Sequence, residues 1–166
     1  ALRRWGFLQF AGWARVFGAN AFAERLLQAF AQLSYPMDKC SFVLVCDGCT
    51  DATPALFRSW ADQRGDAVVV ELPEHAGKAA ALNAGLRRAQ AAIVVVLDAD
   101  LRPAPEFVSE LVRPFADGKV GAAAAFLRPV NADDTIVSRY AGVTSLVHQL
   151  VTSAGTDRLG LNPPTL

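Results

Sequence analysis

The sequence predicts an α/β domain, with a mostly parallel sheet and helices on both of its faces. Three observations carry that expectation. From Phe42 onward, short β-branched runs alternate with amphipathic helical patterns. Three of the four runs are continuously apolar rather than alternating, as in strands covered on both faces. Prolines and capping residues mark the starts of the helices that follow them. Such alternation implies right-handed crossovers, and it places ligands at the carboxyl ends of the strands.

The elements follow in order. The N-terminal stretch ALRRWGFLQFAGWARVFGAN has basic residues and then an apolar run, in outline like a signal peptide. Gln9 and Arg15 interrupt the run and no small-residue cleavage site follows, so it reads as a structural element or as the relic of a longer chain. Phe22, Leu26, Phe30 and Leu33 recur by fours and threes and predict a helix. Phe42–Val45 predicts a strand; Asp51 or Thr53 caps the next helix, with Pro54 in its first turn. Ala67–Leu72 and Ala92–Leu97 predict further strands, separated by the Ala-rich helical run AGKAAALNAGL. Pro105 opens a helix carrying Val108, Leu111, Val112 and Phe115 at helical spacing. Val120–Leu127 predicts a fourth strand, and a last helix runs from Thr135 to Ser153 with Ile136, Tyr140, Val143, Val147 and Leu150 on one face. The chain closes on GLNPPTL without a terminal element, as expected of a fragment.

Composition narrows the function classes. The 166 residues suit one domain, 1–166, and are 52% hydrophobic and 19% charged, a globular balance. Sixteen basic and sixteen acidic residues cancel, so no basic face argues for a nucleic-acid partner. Three cysteines make no disulfide framework, which points to a reducing, cytoplasmic compartment. No uninterrupted apolar run reaches the roughly 18 residues of a membrane span.

If the sheet is parallel, three polar groups arrive at one edge: Asp47 after its strand, Lys78 in the loop PEHAGKAA, and Asp98 to Asp100 after IVVVL. Two acidic sites and a lysine loop suit a phosphate ligand with a divalent cation between them, since carboxylates are hard oxygen ligands for magnesium or manganese. Each piece also has a plainer reading. Asp-x-Asp after a strand is often a turn or a helix cap, Asp47-Gly48 is ordinary turn chemistry, and Lys78 can simply face solvent. The loop is not a Walker A sequence, because Ala79 stands where Ser or Thr is required, and no G-x-G-x-x-G occurs. His75, in the lysine loop, is a candidate ligand contact; His148 reads as an exposed or hydrogen-bonded histidine on the last helix.

Cys46 and Cys49 form a C-x-x-C, which is a redox dithiol in one reading and half of a metal site in another. Asp47 and Asp51 beside them should raise the thiol pKa values, and no second Cys or His pair completes a zinc site. The pair therefore reads as packing and turn residues, with a dithiol oxidoreductase as the rival.

CDGCTDAT at Cys46–Thr53, AGKAAALNAG at Ala76–Gly85 and LDADLRPAPEFV at Leu97–Val108 occur in an order and spacing that resemble the family 2 glycosyltransferases of the GT-A fold. That family runs DDGSTDxT, GGKaxALNxG and DAD. Cys46 and Cys49 stand where it has Asp and Ser, and VFGANAFAE keeps little of its first-strand turn, so residues 1–20 are an atypical first-strand region.

The resemblance implies an incomplete GT-A, Rossmann-like fold for nucleotide-diphospho-sugars. It implies metal-dependent, inverting transfer of a sugar from a UDP- or GDP-linked donor to an unknown acceptor. Asp47, Lys78, Asn83, Asp98 and Asp100 would line the nucleotide-sugar site, and Asp98 and Asp100 would bind Mn or Mg. No catalytic residue is implied within the chain: the base, the acceptor-binding part and any membrane association, on the cytoplasmic face, are expected beyond Leu166. Asp133 and Asp134 are accounted for by capping the last helix. A non-catalytic binding module is the alternative; a nucleotidyltransferase would want a Gly- and Arg-rich loop that is not seen.

Overall fold

The computed structural model describes residues 5–10, 19–130 and 134–149, with residues 5–10 and 19–20 described by their backbone alone. The chain forms two compact units, Ala1–Ala116 and Asp117–Leu166. The first holds strands β1 (Trp5–Phe10), β2 (Cys40–Asp47), β3 (Ala67–Leu72) and β4 (Ile93–Asp98), and helices α1 (Ala19–Ala31), α2 (Thr53–Asp62), α3 (Lys78–Leu86) and α4 (Phe107–Val112). The second holds α5 (Ile136–Val147). No described helix is long and apolar enough to cross a membrane.

The four strands form one parallel sheet in the order β3-β2-β1-β4. The N-terminal apolar run is thus a structural element, pairing with β2 and β4 at once. Phe10 lies opposite Val45 on one side and Asp98 on the other. The chain steps from β1 to β2 to β3 and then returns across β1 to β4. The carboxyl end between β1 and β4 is therefore the switch point at which such sheets open a crevice.

Continuously apolar strands are explained by what covers them. On one face Leu26 and Phe30 of α1, Phe57 of α2 and Val108 of α4 pack with Phe42, Leu44, Val95 and Leu97. The Phe42 ring stands 5.1 Å from Phe30 and meets Trp60 edge-on at 5.1 Å and 86°. The Arg64 guanidinium lies over Phe42 and Trp60 and is paired with Asp66, so the aromatic cluster ends on a neutralised cation. On the other face α3 covers Val43 and Val45 through Ala81, with Val70, Leu72 and Val94 at the margin. β2 is covered on both faces as expected, while the flanking strands keep Val68 and Val96 exposed at 47% and 44%.

Several boundaries differ from the sequence reading. Pro105 lies ahead of the helix, and Glu106 holds the N-cap position of α4. The periodic run through Phe115 divides into α4 and a 3-10 turn, Arg113–Ala116, because Pro114 has no N–H with which to continue the α-helix. Val120–Leu127 is not a strand. Gly121 and four consecutive alanines are poor strand formers, and the segment has no strand partner among the described residues. The Gln149 side-chain amide instead accepts from Leu127 N at 2.7 Å and donates to Leu127 O at 2.8 Å, occupying the two groups a neighbouring strand would have used.

α5 begins at a capping box between Thr135 and Ser138, so Asp134 does not cap it. Asp134 is exposed just before the helix, and Asp133 lies outside the described residues. The stripe Ile136, Tyr140, Val143 and Val147 is exposed rather than buried, while Leu150–Ser153 lie outside the described residues.

The division between core and rim gives a stability test. Phe42→Ala should cost about 3–5 kcal/mol in urea unfolding. Val68→Thr, at the 47% exposed margin of the sheet, should stay within about 0.5 kcal/mol. Similar costs for both would refute the core assignment.

Candidate functional site

β2 ends by turning Asp47 inward, where its side chain is only 1% exposed. Its Oδ1 accepts from Ala76 N at 2.7 Å, its Oδ2 accepts from Gly77 N at 3.0 Å, and His75 Nδ1 lies 2.9 Å from Oδ2. Gly77 is the N-cap of α3, and it has no side chain with which to cap. Asp47 supplies from β2 the carboxylate that the helix start lacks, near the positive end of the helix dipole. The His75 position is thereby explained: the imidazole faces Asp47.

The turn after β2 is shaped for this approach. Gly48 has φ +62°, and a Cβ there would meet His75 N at 2.4 Å and Glu74 C at 2.8 Å. Its N–H donates to Leu72 O at 3.2 Å, extending the β2–β3 pairing into the turn. Only glycine combines that conformation with that approach. Asp51 accepts from Thr53 N at 3.0 Å and shapes the entry into α2, whose N-cap, Ala52, has no side-chain bond.

β4 delivers the second carboxylate. Lys78, the first residue of α3, reaches Asp98 at 2.9 Å, with the two side chains 55% and 45% exposed. Pairs this wet are worth at most about 1 kcal/mol. The lysine is therefore held but available to an arriving anion. Asp100 follows in the turn closed by Leu101 N to Asp98 O at 3.1 Å. It is exposed, and its carboxylate makes no hydrogen bond or ion pair among the described residues.

Asp47, Lys78, Asp98 and Asp100 are thus gathered at the carboxyl edge, Asp47 and Asp98 on the strands that flank β1. Asn83 is not brought to them. It is exposed on α3, five residues and about 140° round the helix from Lys78. Asp98 and Asp100 offer two hard oxygen donors, and no group of three His, Cys, Asp or Glu suited to a metal occurs among the described residues. That donor set fits magnesium or manganese taking its other ligands from phosphate and water, as such ions commonly do, and does not fit an all-protein cage.

The cysteines also meet. Cys46 is buried and Cys49 half-buried, and the Cys46 thiol hydrogen-bonds to the Cys49 sulfur. That bond, then burial, raises the Cys46 pKa. Accepting it lowers the Cys49 pKa despite Asp51 and Asp47. The expectation that the flanking acids would raise both thiols fails at Cys49, because the neighbouring thiol is a closer influence than either carboxylate. Burial pushes Cys40 up to about 11. His148, expected to be satisfied or exposed, has a buried Nε2 without a partner among the described residues.

Sequence reasoning found the strand-end acids but missed that Asp47 holds a loop. The available signal was the pair of glycines, Gly48 and Gly77, both at positive φ.

Residues 16–155 match the family described as glycosyl transferase family 2. A probable glycosyltransferase of Bacillus subtilis, YdaM, is 29% identical over 80% of this chain and 32% of its own length. The dodecaprenyl-phosphate galacturonate synthase of Rhizobium johnstonii is 38% identical over 56% of this chain and 29% of its own. Among solved structures, the mannosyltransferase PcManGT of Pyrobaculum calidifontis, in complex with GDP-Man and Mn2+, superposes with TM-score 0.63 at 35% identity. That match covers 73% of this chain and 34% of PcManGT. The chain thus spans about a third of the length of these relatives.

Removing the Asp47 carboxylate should free the loop. In Asp47→Ala, amide exchange at Ala76 and Gly77 should accelerate at least roughly tenfold, equivalent to about 1.4 kcal/mol of lost protection. Unchanged exchange at both amides would show that the loop is held by something else.

Proposed function

The chain belongs to glycosyl transferase family 2, and on that premise we propose that it binds a nucleoside-diphosphate sugar as the donor-binding part of an inverting, metal-dependent glycosyltransferase. The observation that carries this reading is the exposed Lys78–Asp98 pair beside the unpaired Asp100, at the switch point of the sheet. A diphosphate arriving there meets a lysine already at the mouth of the crevice, on a helix start whose position Asp47 fixes. Lys78 exchanges one oxygen anion for another, so it is not stripped of charge compensation on binding. Asp98, once released, and Asp100 would hold the divalent ion, which supplies charge neutralisation to the leaving diphosphate when bound. PcManGT, bound to GDP-Man and Mn2+, supports this donor and metal chemistry by similarity.

Relatives named for dodecaprenyl- and undecaprenyl-phosphate point to a lipid phosphate as the acceptor class, and so to glycolipid or polysaccharide synthesis at the cytoplasmic face of a membrane. The base and the acceptor-holding groups are proposed to lie outside residues 1–166. General-base assistance is worth about 10²–10⁴-fold, so these residues alone should bind donor and transfer little.

Calorimetry with UDP and GDP, with and without Mn2+, tests the donor site. The expected result is metal-dependent binding of one of them, weakened by Asp100→Ala at least roughly tenfold, about 1.4 kcal/mol. Absence of metal-dependent binding by folded protein would overturn the reading.

A radiolabelled-donor assay across mixed acceptors should show no transfer above the Asp100→Ala blank. Robust transfer that vanishes in the variant would place the base within these residues.

A further inference from the structure

Cys46 and Cys49 are the two positions at which the first motif departs from its family pattern, and they are the two side chains that touch each other. Between them lie Asp47, which holds the loop at residues 75–77, and Gly48, which has no room for even a Cβ. We propose that Cys46 and Cys49 are a redox modification site, closing reversibly to a disulfide that displaces the Asp47–Gly48 turn and loosens the loop it holds.

Access divides the roles. Cys49 is half-buried and follows the turn, so an oxidant reaches it first. Cys46 is 1% exposed in the core cluster against which Cys49 packs, already in hydrogen-bond contact with it. Donation from Cys46 favours the thiolate of Cys49, the form that reacts. With a hydroperoxide as oxidant, the Cys49 thiolate attacks the peroxide oxygen, forming a sulfenic acid and releasing hydroxide. The Cys46 sulfur then attacks the Cys49 sulfur; the S–S bond forms, the S–O bond breaks, and the Cys46 proton leaves with the hydroxyl group as water. Two thiols are oxidised by two electrons and one peroxide is reduced. A small thiol reverses the step by exchange.

The third cysteine cannot compete. Cys40 begins β2 and Cys46 lies six residues along the same strand, about 20 Å away at the usual rise. Its thiol donates to Pro36 O at 3.6 Å and is buried.

The thiol chemistry is independent of the donor reading, while any consequence for catalysis rests on it. The test treats the full 166-residue chain with equimolar hydrogen peroxide. Intact mass should fall by two hydrogens, thiol titration in denaturant should find Cys40 alone free, and dithiothreitol should reverse both. In Cys46→Ala, dimedone should label Cys49; in Cys49→Ser, Cys46 should stay unlabelled. Amide exchange at Ala76 and Gly77 should quicken at least tenfold in the oxidised wild type. Persistence of all three thiols, or irreversible oxidation of Cys49 without a disulfide, would overturn the site. A disulfide that leaves exchange at Ala76 and Gly77 unchanged would overturn its coupling to the loop. Failure of the reduced protein to bind a nucleotide, with the disulfide still forming, would refute the donor reading and leave this site standing.

Discussion

The Asp47 carboxylate is the interaction on which the rest of the site depends. It joins the end of β2 to the start of α3 through two main-chain N–H donors, at 2.7 and 3.0 Å, with the His75 imidazole beside it. A carboxylate so buried costs free energy unless its oxygens are satisfied, and here the amides that lead into α3 satisfy them. The arrangement also requires glycine at position 48, since the loop backbone passes where a Cβ would stand. The direction of α3, and so the place of Lys78, follows from it.

Around that fixed point the remaining polar groups are loosely held. Lys78 and Asp98 are both about half exposed, and Asp100 is exposed. Buried and bonded on one side, wet and exchangeable on the other, the carboxyl edge is suited to accept an anion without rebuilding the sheet. The topology makes this possible. β1 lies between β2 and β4, so the two acidic strand ends flank one central strand at the point where chain direction across the sheet reverses.

The cysteine pair shows how the same edge can carry two kinds of chemistry. Cys46 faces the core that α1, α2 and α4 build, while Cys49 sits in the turn beyond Gly48. Their contact spans the same turn from which Asp47 reaches the helix start.

Much of the first unit was determined by the sequence itself. The continuous apolar runs marked parallel strands between helices, and β2 is buried on both faces as that layering requires. β3 follows its predicted bounds and β4 lies within a residue of them, because β-branched runs ended by Asp or Pro leave little freedom in register. The motif spacing also identified the strand-end acids. Tertiary structure alone decided the rest. Val120–Leu127 carries the apolar signature of a strand, yet a strand exists only with a partner, and Gln149 takes that place at Leu127. The apolar stripe of α5 predicts a helix correctly and leaves its exposure undecided, because periodicity fixes a face and says nothing of what covers it. Likewise Asp47 reads from sequence as a ligand contact, and the structure makes it first the anchor of a loop 29 and 30 residues away. Such a bond depends on chain folding across that distance, which no local pattern of residues encodes.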